Sequence, residues 1–377
     1  MAKKDAFRVG RAIADARRGA LESPDEQVGR RARRQTGVRR VGLDPRADRW
    51  PDGVPVDVAA GILGVRLPLP FALDHVNVWL LADGAGWLAI DTGIADDPTR
   101  ARWRGLLDRL SPGRLTRLLC THFHPDHIGL AGWLAAETGV PLLASRTEWL
   151  LARMLALDDG EGFLAALQRY DRRAGLPPAL AELRQRRGNA YRPRVVVPPA
   201  TYQRLEAGMQ LTVGEQRFEV LIGRGHAPEM ICLFEPERRL LIAADQVLPT
   251  ISPNVSVWPI EPLADPLSDF LATLEAFRVL PGDTLVLPSH GRPFVGLHAR
   301  IDALIRHHAE RLAQVESACA APRTAHDLIP LLFERALDAH QLQFALGETV
   351  AHLNHLLAKG VLVAAEELDG RLLYQRR

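Results

Sequence analysis

Three histidines and an aspartate lie within six residues of one short segment, CTHFHPDHIG, at positions 120–129. Imidazole nitrogens and carboxylate oxygens are ligands that suit Zn²⁺, and they also suit iron and manganese. His122 and His124 alternate along an extended segment, so both can reach one ion from the same side. Asp126 and His127 belong to the following turn and can face a second ion. The segment therefore predicts a metal site with room for two divalent ions.

Four more aspartates and histidines follow apolar runs elsewhere in the chain. Asp91, His226, Asp245 and His290 come within a few residues of the ends of the apolar stretches in GWLAIDTG, QRFEVLIGRGH, ICLFEPERRLLIAADQ and DTLVLPSHG. Loops at the ends of buried strands can converge on one edge of a sheet, where a rigid scaffold positions reactive groups. We therefore expect one site that is assembled from five separate loops.

The segments between these loops predict the elements that position them. HVNVWLLAD and GWLAIDTG are separated by glycine, as in a β-hairpin, and RLTRLLCTHFH adds a third apolar strand. Apolar residues recur every three or four positions, which predicts helices over residues 127–137, 146–157, 161–174, 178–187 and 266–278. Strands that alternate with helices indicate an α/β fold in which helices cover the sheets.

The composition is typical of a globular protein. The 377 residues are 47% hydrophobic and 24% charged, and no apolar run approaches the roughly 18 residues that cross a bilayer. Cys120, Cys232 and Cys319 lie far apart without a CxxC pair, which argues against a disulfide scaffold and a cysteine zinc site. No apolar segment follows the basic start of the chain, so we expect a cytoplasmic protein without a membrane partner.

Basic residues are concentrated at the start of the chain. Residues 1–50 hold 14 Lys or Arg and 7 Asp or Glu, although the whole chain has a formal net charge of only +2. Few apolar residues accompany these charges, so we expect a loosely ordered basic arm. Binding of a nucleic acid by this arm is the less favoured interpretation.

Together these motifs resemble those of the metallo-β-lactamase-fold hydrolase superfamily. THFHPDH resembles its HxHxDH motif, and IDTG, GRGHAPE, AADQ and PSHG occur in the order of that family over about residues 65–300. The resemblance implies an αββα sandwich with two divalent ions at one edge, most simply Zn²⁺, with iron or manganese as alternatives. It implies His122, His124 and His226 as ligands of the first ion, Asp126, His127 and His290 as ligands of the second, and Asp245 as their bridge.

The same resemblance implies catalytic roles for three aspartates. Asp126 and Asp245 would hold two ions about 3.5–4 Å apart, a separation at which they share a bridging hydroxide that attacks the substrate. Asp91 would lie behind the ligands and accept the free ring N–H of a ligand histidine, which fixes its tautomer. The alternative for Asp91 is a turn or helix-capping residue before Gly93.

Two positions argue against particular branches of the superfamily. His124 stands where its diiron oxidoreductases carry glutamate, so redox chemistry of that type is not expected. Cys232 does not follow a strand into the site as the cysteine ligand of true β-lactamases does, so antibiotic hydrolysis is not the expected main activity.

The chain is predicted to have three parts: the arm of residues 1–50, a catalytic domain of residues 51–320 and a small domain of residues 321–377. The last part is predicted to form two helices and a hairpin, and its Asp369-Gly370 pair suits the turn. That order is similar to the winged-helix tail of one branch of the superfamily, which includes thioester hydrolases of the glyoxalase II type and a single-strand-specific endoribonuclease.

Several residues outside the motifs are candidates for the substrate pocket. Residues 146–195 form a helical insertion that we expect near the metals, with an ordinary outer helical layer as the alternative. His75, Asn77 and Asn254 lie near the motif segments and could line the mouth of the site. The alternative interpretation of His75 is a strand-end histidine whose ring only has its hydrogen bonds satisfied there.

Three functions fit these residues. The favoured one is hydrolysis of a small acyl substrate, a thioester or lactone-like ester, because a thiolate of pKa ~8.5 leaves without a proton donor. A nuclease or phosphodiesterase acting on single-stranded RNA is the first alternative, supported by the basic arm and opposed by the acidic excess elsewhere. A mononuclear iron dioxygenase acting on persulfides is the second. We expect a small-molecule substrate and leave open whether the chain forms a homo-oligomer.

Overall fold

The computed structural model describes residues 42–43, 50–110, 114–334 and 336–377, which belong to one compact unit. Most of the predicted basic arm therefore lies outside the described residues. Trp50, the last residue of that predicted arm, packs edge-on against Trp79 with ring centroids 5.6 Å apart. This end of the arm thus contacts the core.

Two seven-stranded sheets form the centre of the molecule. The strands are β1 Gly42–Leu43, β2 Val56–Ala59, β3 Ile62–Pro68, β4 His75–Asp83, β5 Gly86–Ile90, β6 Leu115–Leu119, β7 Leu142–Ala144, β8 Gln203–Arg204, β9 Gln210–Val213, β10 Gln216–Gly223, β11 Met230–Glu235, β12 Leu240–Ala244, β13 Leu285–Pro288, β14 Phe294–Val295, β15 Leu362–Glu366 and β16 Leu372–Arg376. The first sheet has the order β2-β3-β4-β5-β6-β7-β8, and the second has the order β1-β14-β13-β12-β11-β10-β9. Strands β15 and β16 form a separate hairpin.

Helices cover the outer faces of the two sheets. They are α1 Asp97–Arg109, α2 Pro125–Ile128, α3 Ala131–Thr138, α4 Arg146–Leu157, α5 Glu161–Arg173, α6 Pro178–Arg187, α7 Pro266–Ala276, α8 Leu297–Ala318, α9 Ala325–Leu332 and α10 Ala339–Ala358. No helix among the described residues is long and apolar enough to span a bilayer.

Three layers of buried side chains explain this arrangement. Between the sheets, Trp79 of the first sheet and Phe218 of the second belong to one apolar cluster. Trp103 of α1 packs in a cluster on the outer face of the first sheet, and Phe270 of α7 packs in one on the second. Strand β12 is buried along its whole length, as its uninterrupted LLIAA run predicts. The α/β class and the αββα sandwich are therefore confirmed.

The prediction of a single helix over residues 127–137 is wrong, because the chain forms two helices there. Helix α2 ends at Ile128 and α3 begins at Ala131. Between them, the N–H of Leu130 donates to Oγ1 of Thr92 at 3.0 Å instead of to a carbonyl one turn earlier. Glycine at position 129 lets the chain pass close to the Pro125 carbonyl oxygen, since a Cβ at this position would lie 2.2 Å from that oxygen.

The C-terminal part has the predicted order of two helices and a hairpin. Asp338 begins α10 by accepting the N–H groups of His340 and Gln341, each at 2.8 Å. Gly370 has φ of 85° in the hairpin turn, a conformation that favours glycine. This part shares an apolar cluster with Tyr170 of the predicted insertion. The winged-helix assignment and the domain boundaries stay predictions.

A buried histidine pair joins the C-terminal part to α8. Nδ1 of His308 lies 3.3 Å from Nε2 of His352, and Nδ1 of His352 donates to the Glu348 carbonyl at 2.8 Å. Oγ of Ser252 lies 3.2 Å from Nε2 of His308. Burial and the neighbouring His352 lower the pKa of His308 to about 2, and burial lowers the pKa of His352 to about 4. Both rings are therefore neutral in the folded protein near neutral pH.

We expect this pair to make the folded state less stable in acid. Below pH 6.5 the unfolded chain binds protons that folded His308 and His352 do not, so the free energy of unfolding falls by up to about 1.4 kcal/mol per pH unit for each group. For His352 this loss ends near pH 4. Urea unfolding between pH 7.5 and pH 5 measures the slope, which should be shallower for His308→Gln. His326→Gln on α9 is the control, and equal slopes for wild type and His308→Gln would contradict the expectation.

Candidate metal centre

Three histidine rings from two loops converge at one end of the sheets. His122 and His124 follow β6, and His226 follows β10. Nε2 of His122 lies 3.0 Å from Nδ1 of His124 and 3.3 Å from Nε2 of His226. The structure thus brings together the three residues expected to bind a first ion, with one nitrogen of each within 4.8 Å of the others.

A second triad lies beside the first. Oδ2 of Asp126 lies 3.4 Å from Nε2 of His127 and 3.3 Å from Nε2 of His290, which follows β13. These are the three residues expected to bind a second ion. His127 and His290 are buried, whereas Asp126 is partly accessible.

Asp245 lies between the two triads. Its Oδ2 is 3.3 Å from Nε2 of His226 in the first triad, and 3.5 Å and 3.3 Å from Nε2 of His127 and His290 in the second. The preceding Ala244 has φ of 46°, in the left-handed region that alanine rarely adopts, and the pairing of β12 with β13 shifts register there. This local distortion ends the strand where Asp245 meets both triads.

The donor set fits divalent metal ions. Nε2 of His127 and Oδ1 of Asp245 are buried and have no hydrogen-bond partner among the described residues. Such atoms are costly to bury unless a ligand satisfies them. Burial holds the pKa of His122 well below its usual range, so the ring is neutral, as metal coordination requires.

The carboxylates of the site require a positive charge beside them. Burial alone would lower the pKa of His290, but Asp245 and Asp126 outweigh it and raise this pKa to about 10. Protons therefore balance the carboxylates when metal is absent, and divalent ions would displace those protons on binding. The identity and number of the ions stay predictions.

Asp91 lies behind this centre. Its Oδ2 accepts a hydrogen bond from Nδ1 of His127 at 2.8 Å, which leaves Nε2 of that ring for a metal. Its Oδ1 accepts the N–H of Thr121 at 2.8 Å. Asp91 has φ of 67°, a conformation that aspartate tolerates better than most residues. The capping alternative does not hold for the next helix, because Asp96 caps α1.

Residues of both triads line a cavity of about 810 Å³. Its sides come from the segments at 69–73 and 248–260, from residues of the predicted insertion between Leu155 and Arg194, and from the first turns of α10. The metal-type side chains that border the cavity are His124, Asp126, His226, Asp245 and His290.

Two family models match this chain. Residues 71–290 match the metallo-beta-lactamase superfamily, and residues 312–377 match the metallo-beta-lactamase-like C-terminal domain. The chain belongs to the metallo-β-lactamase superfamily. It is a metallo-hydrolase, as the sequence motifs predicted.

The similarity to individual relatives covers different shares of this metallo-hydrolase. A beta-lactamase domain protein from Burkholderia ambifaria is 39% identical, with a TM-score of 0.82 over 89% of this chain and 98% of that one. A linear primary-alkylsulfatase from Pseudomonas sp. is 26% identical over 61% of this chain and 44% of its own length. The acyl-coenzyme A thioesterase MBLAC2 from Gallus gallus is 27% identical over 50% of this chain and 64% of its own. The metallo-hydrolase thus spans less than two thirds of each of these last two relatives.

Sequence reasoning missed Glu148, which joins the two loops of the first triad. Its buried carboxylate accepts the N–H of Phe123, between His122 and His124, at 2.9 Å. It also accepts the N–H of Glu229, three residues after His226, at 2.6 Å. Burial raises the pKa of Glu148 to about 7. The available signal was a glutamate at helical spacing from the apolar residues that α4 buries.

His75 and Asn77, which the sequence offered as candidates for the mouth of the site, do not line the cavity, and the His75 ring has hydrogen-bond partners at the strand end, as its alternative interpretation predicted. The carbonyl of His75 accepts a hydrogen bond from Nδ1 of His290 at 2.7 Å, and Nδ2 of Asn77 donates to the Pro288 and Gly291 carbonyls at 3.0 Å and 2.8 Å. Both residues therefore support the His290 loop from behind. Neither lines the described cavity.

Asn254 does line the cavity, and it also holds a metal-type residue. Its carbonyl accepts a hydrogen bond from Nδ1 of His226 at 2.7 Å. Its Nδ2 donates to Oε2 of Glu348 on α10 at 2.9 Å. The C-terminal part is thus linked to His226 through one residue.

Asp245→Asn should weaken metal binding. Asparagine keeps the shape of the side chain but removes the charge that offsets the repulsion between two cations. We expect the metal content to fall from close to two ions per chain toward one or fewer, measured by mass spectrometry after dialysis. Asp269→Asn, at an exposed position on α7, should keep the wild-type content. Equal metal content in the two variants would show that Asp245 does not bridge.

Glu148→Gln should loosen the first triad without removing a ligand. One amide oxygen can replace only one of the two carboxylate acceptors, so one buried N–H loses its partner at a cost of about 1–3 kcal/mol. The free energy of unfolding of the apoprotein should fall by that amount, and the affinity for the first metal should fall with it. Glu137→Gln, at an exposed position on α3, is the control. Unchanged stability and affinity in Glu148→Gln would refute the role as a clamp.

Proposed function

We propose that this metallo-hydrolase cleaves a small acyl thioester, with a lactone-like ester as the related possibility. The observation that carries the proposal is that residues of both triads line a largely apolar cavity of about 810 Å³. Cavities of this size and polarity suit small organic ligands. The similarity to a protein named acyl-coenzyme A thioesterase supports a thioester in particular.

An apolar surface adjoins the first triad. The indole of Trp258 stacks against the His124 ring at 6.1 Å and contacts Phe123 edge-on at 5.2 Å. Leu155 and Phe344 line the same cavity. An acyl chain placed against these side chains would exclude water from the reacting group and hold its carbonyl beside the triads.

The roles of the protein's own side chains follow from their contacts. Bound divalent ions would supply Lewis acidity and would lower the pKa of a water molecule enough to generate a nucleophile near neutral pH. Asp245 would place a negative charge between the two triads, and Asp126 would complete the second. Asp91 holds the His127 ring in one tautomer.

The nature of the leaving group favours a thioester over an ester. Tyr191 lines the cavity, but its hydroxyl already donates to the Phe123 carbonyl at 2.5 Å and so is not poised to protonate a leaving group. A thiolate of pKa ~8.5 departs without a proton, whereas an alkoxide requires one.

Hydrolysis of a sulfate ester is a second candidate. The alkylsulfatase from Pseudomonas sp. supports it, because its similarity extends over 61% of this chain. Cleavage of single-stranded RNA remains the alternative suggested by the sequence. A mononuclear dioxygenase is less favoured, since it would leave Asp126, His127 and His290 without a role.

A substrate screen on metal-loaded protein tests the proposal. We expect the highest kcat/KM for acyl thioesters, measured by the release of free thiol. Asp245→Asn should lose turnover by orders of magnitude, whereas Asp269→Asn should lose none. Lactones, alkyl sulfates, single-stranded RNA and, for oxygen uptake, persulfides complete the screen. Sulfate release, RNA cleavage or oxygen uptake without thioester turnover would refute the proposal.

A further inference from the structure

Five arginines lie between positions 184 and 194, and their partners differ. Three of them form ion pairs: Arg184 with Asp171, Arg186 with Glu182 and Arg192 with Asp159. The other two, Arg187 and Arg194, form no ion pair with a carboxylate in the part of the chain that the structure describes. Both of these line the cavity above the metal triads.

Arg194 is held in place by neutral groups. Its Nη1 donates to the Ala190 carbonyl at 3.0 Å, and its guanidinium lies 5.4 Å from the centre of the Phe71 ring. The ring of Phe71 also stacks on His340 of α10, with centroids 4.6 Å apart and planes 8° apart. These contacts orient the charge without neutralising it.

Positive charge is therefore concentrated on this side of the cavity. Burial lowers the pKa of Arg194, and the charge of Arg187 lowers it further. Burial also lowers the pKa of His340, and the charges of Arg194 and Arg187 lower it further. Asp338 and Asp126 also line the cavity, and hydrogen bonds from the α10 backbone, together with the charge of Arg187, lower the pKa of Asp338. The Asp338 carboxylate caps α10 by accepting two backbone N–H groups and forms no ion pair with either arginine. Two guanidinium groups that line a partly enclosed cavity and form no ion pair with a carboxylate favour an anionic ligand.

We propose that Arg187 and Arg194 bind an oxyanion, a phosphate or carboxylate, on the part of the substrate that does not react. A guanidinium offers paired N–H donors that match such groups. The assignment of a thioester rests on the proposed function, whereas the anion site does not. In the reaction, water adds to the thioester carbonyl and the C–S bond breaks, giving a carboxylate, a thiol and a proton.

Binding of two inert probes tests the anion site directly. Desulfo-coenzyme A carries phosphates, S-methylglutathione carries carboxylates, and neither has a free thiol that could bind metal. Calorimetry should show that one of them binds the wild type and that Arg187→Gln and Arg194→Gln each weaken it about tenfold, as expected for a lost charge-assisted hydrogen bond. The probe that binds identifies the source of the oxyanion.

Arg186→Gln is the matched control, because Arg186 neighbours Arg187 on α6 but pairs with Glu182 at 2.7 Å and does not line the cavity. It should bind the probe as the wild type does. The anion site is overturned if neither probe binds the wild type, or if the double variant of Arg187 and Arg194 binds as well as Arg186→Gln.

Kinetics separate this proposal from the proposed function. With the same acyl group on a neutral N-acetylcysteamine thioester and on the anionic thioester, the double variant should lose at least about tenfold more kcat/KM on the anionic one, chiefly through KM. Equal losses on both substrates would overturn the assignment to the substrate. If no thioester is hydrolysed but the probe binds through the two arginines, the thioesterase proposal fails and the anion site stands.

Discussion

The structure depends on keeping buried and partly buried carboxylates and imidazoles at 3.0–3.5 Å from one another at the ends of several strands. Without cations, such a cluster has two unfavourable features. Its charged groups lose their hydration, and its ring nitrogens cannot all find hydrogen-bond donors or acceptors in one another. Divalent ions bound by these side chains would remove both problems, because they would satisfy the nitrogens and balance the carboxylates. We therefore expect the stability of this end of the molecule to be coupled to metal binding.

The remainder of the fold holds this cluster in position from outside. Left-handed backbone at Asp91 and Ala244 is found where chain segments must turn toward the triads. The cost of such conformations is of order 1–3 kcal/mol each, and buried sheets on both sides supply the packing that keeps them in place. Glu148 adds a hydrogen-bonded link between two loops that are distant in sequence.

The amino-acid sequence predicted what is local and missed what is tertiary. The HxHxDH segment concentrates its chemistry in six residues, and the strands before Asp245 and His290 are continuous apolar runs, so the expected ligand residues could be named. The break between α2 and α3 could not, because it depends on Thr92, which lies 38 positions before Leu130. Sequence likewise does not distinguish Arg187 from Arg186, since only the folded chain shows which of them has a carboxylate partner.

The C-terminal part has two structural roles that follow from the placement of α10. Phe344 and His340 near its start complete the cavity, while Glu348 one turn later supports His226 through Asn254. Residues four apart on a helix lie on the same face, so one face of α10 contacts both the cavity and Asn254, which supports the metal-type residue His226. A shift of this helix would therefore change the shape of the cavity and the orientation of His226 together. The position of the C-terminal part is consequently part of the site, although all seven metal-type side chains come from the sandwich.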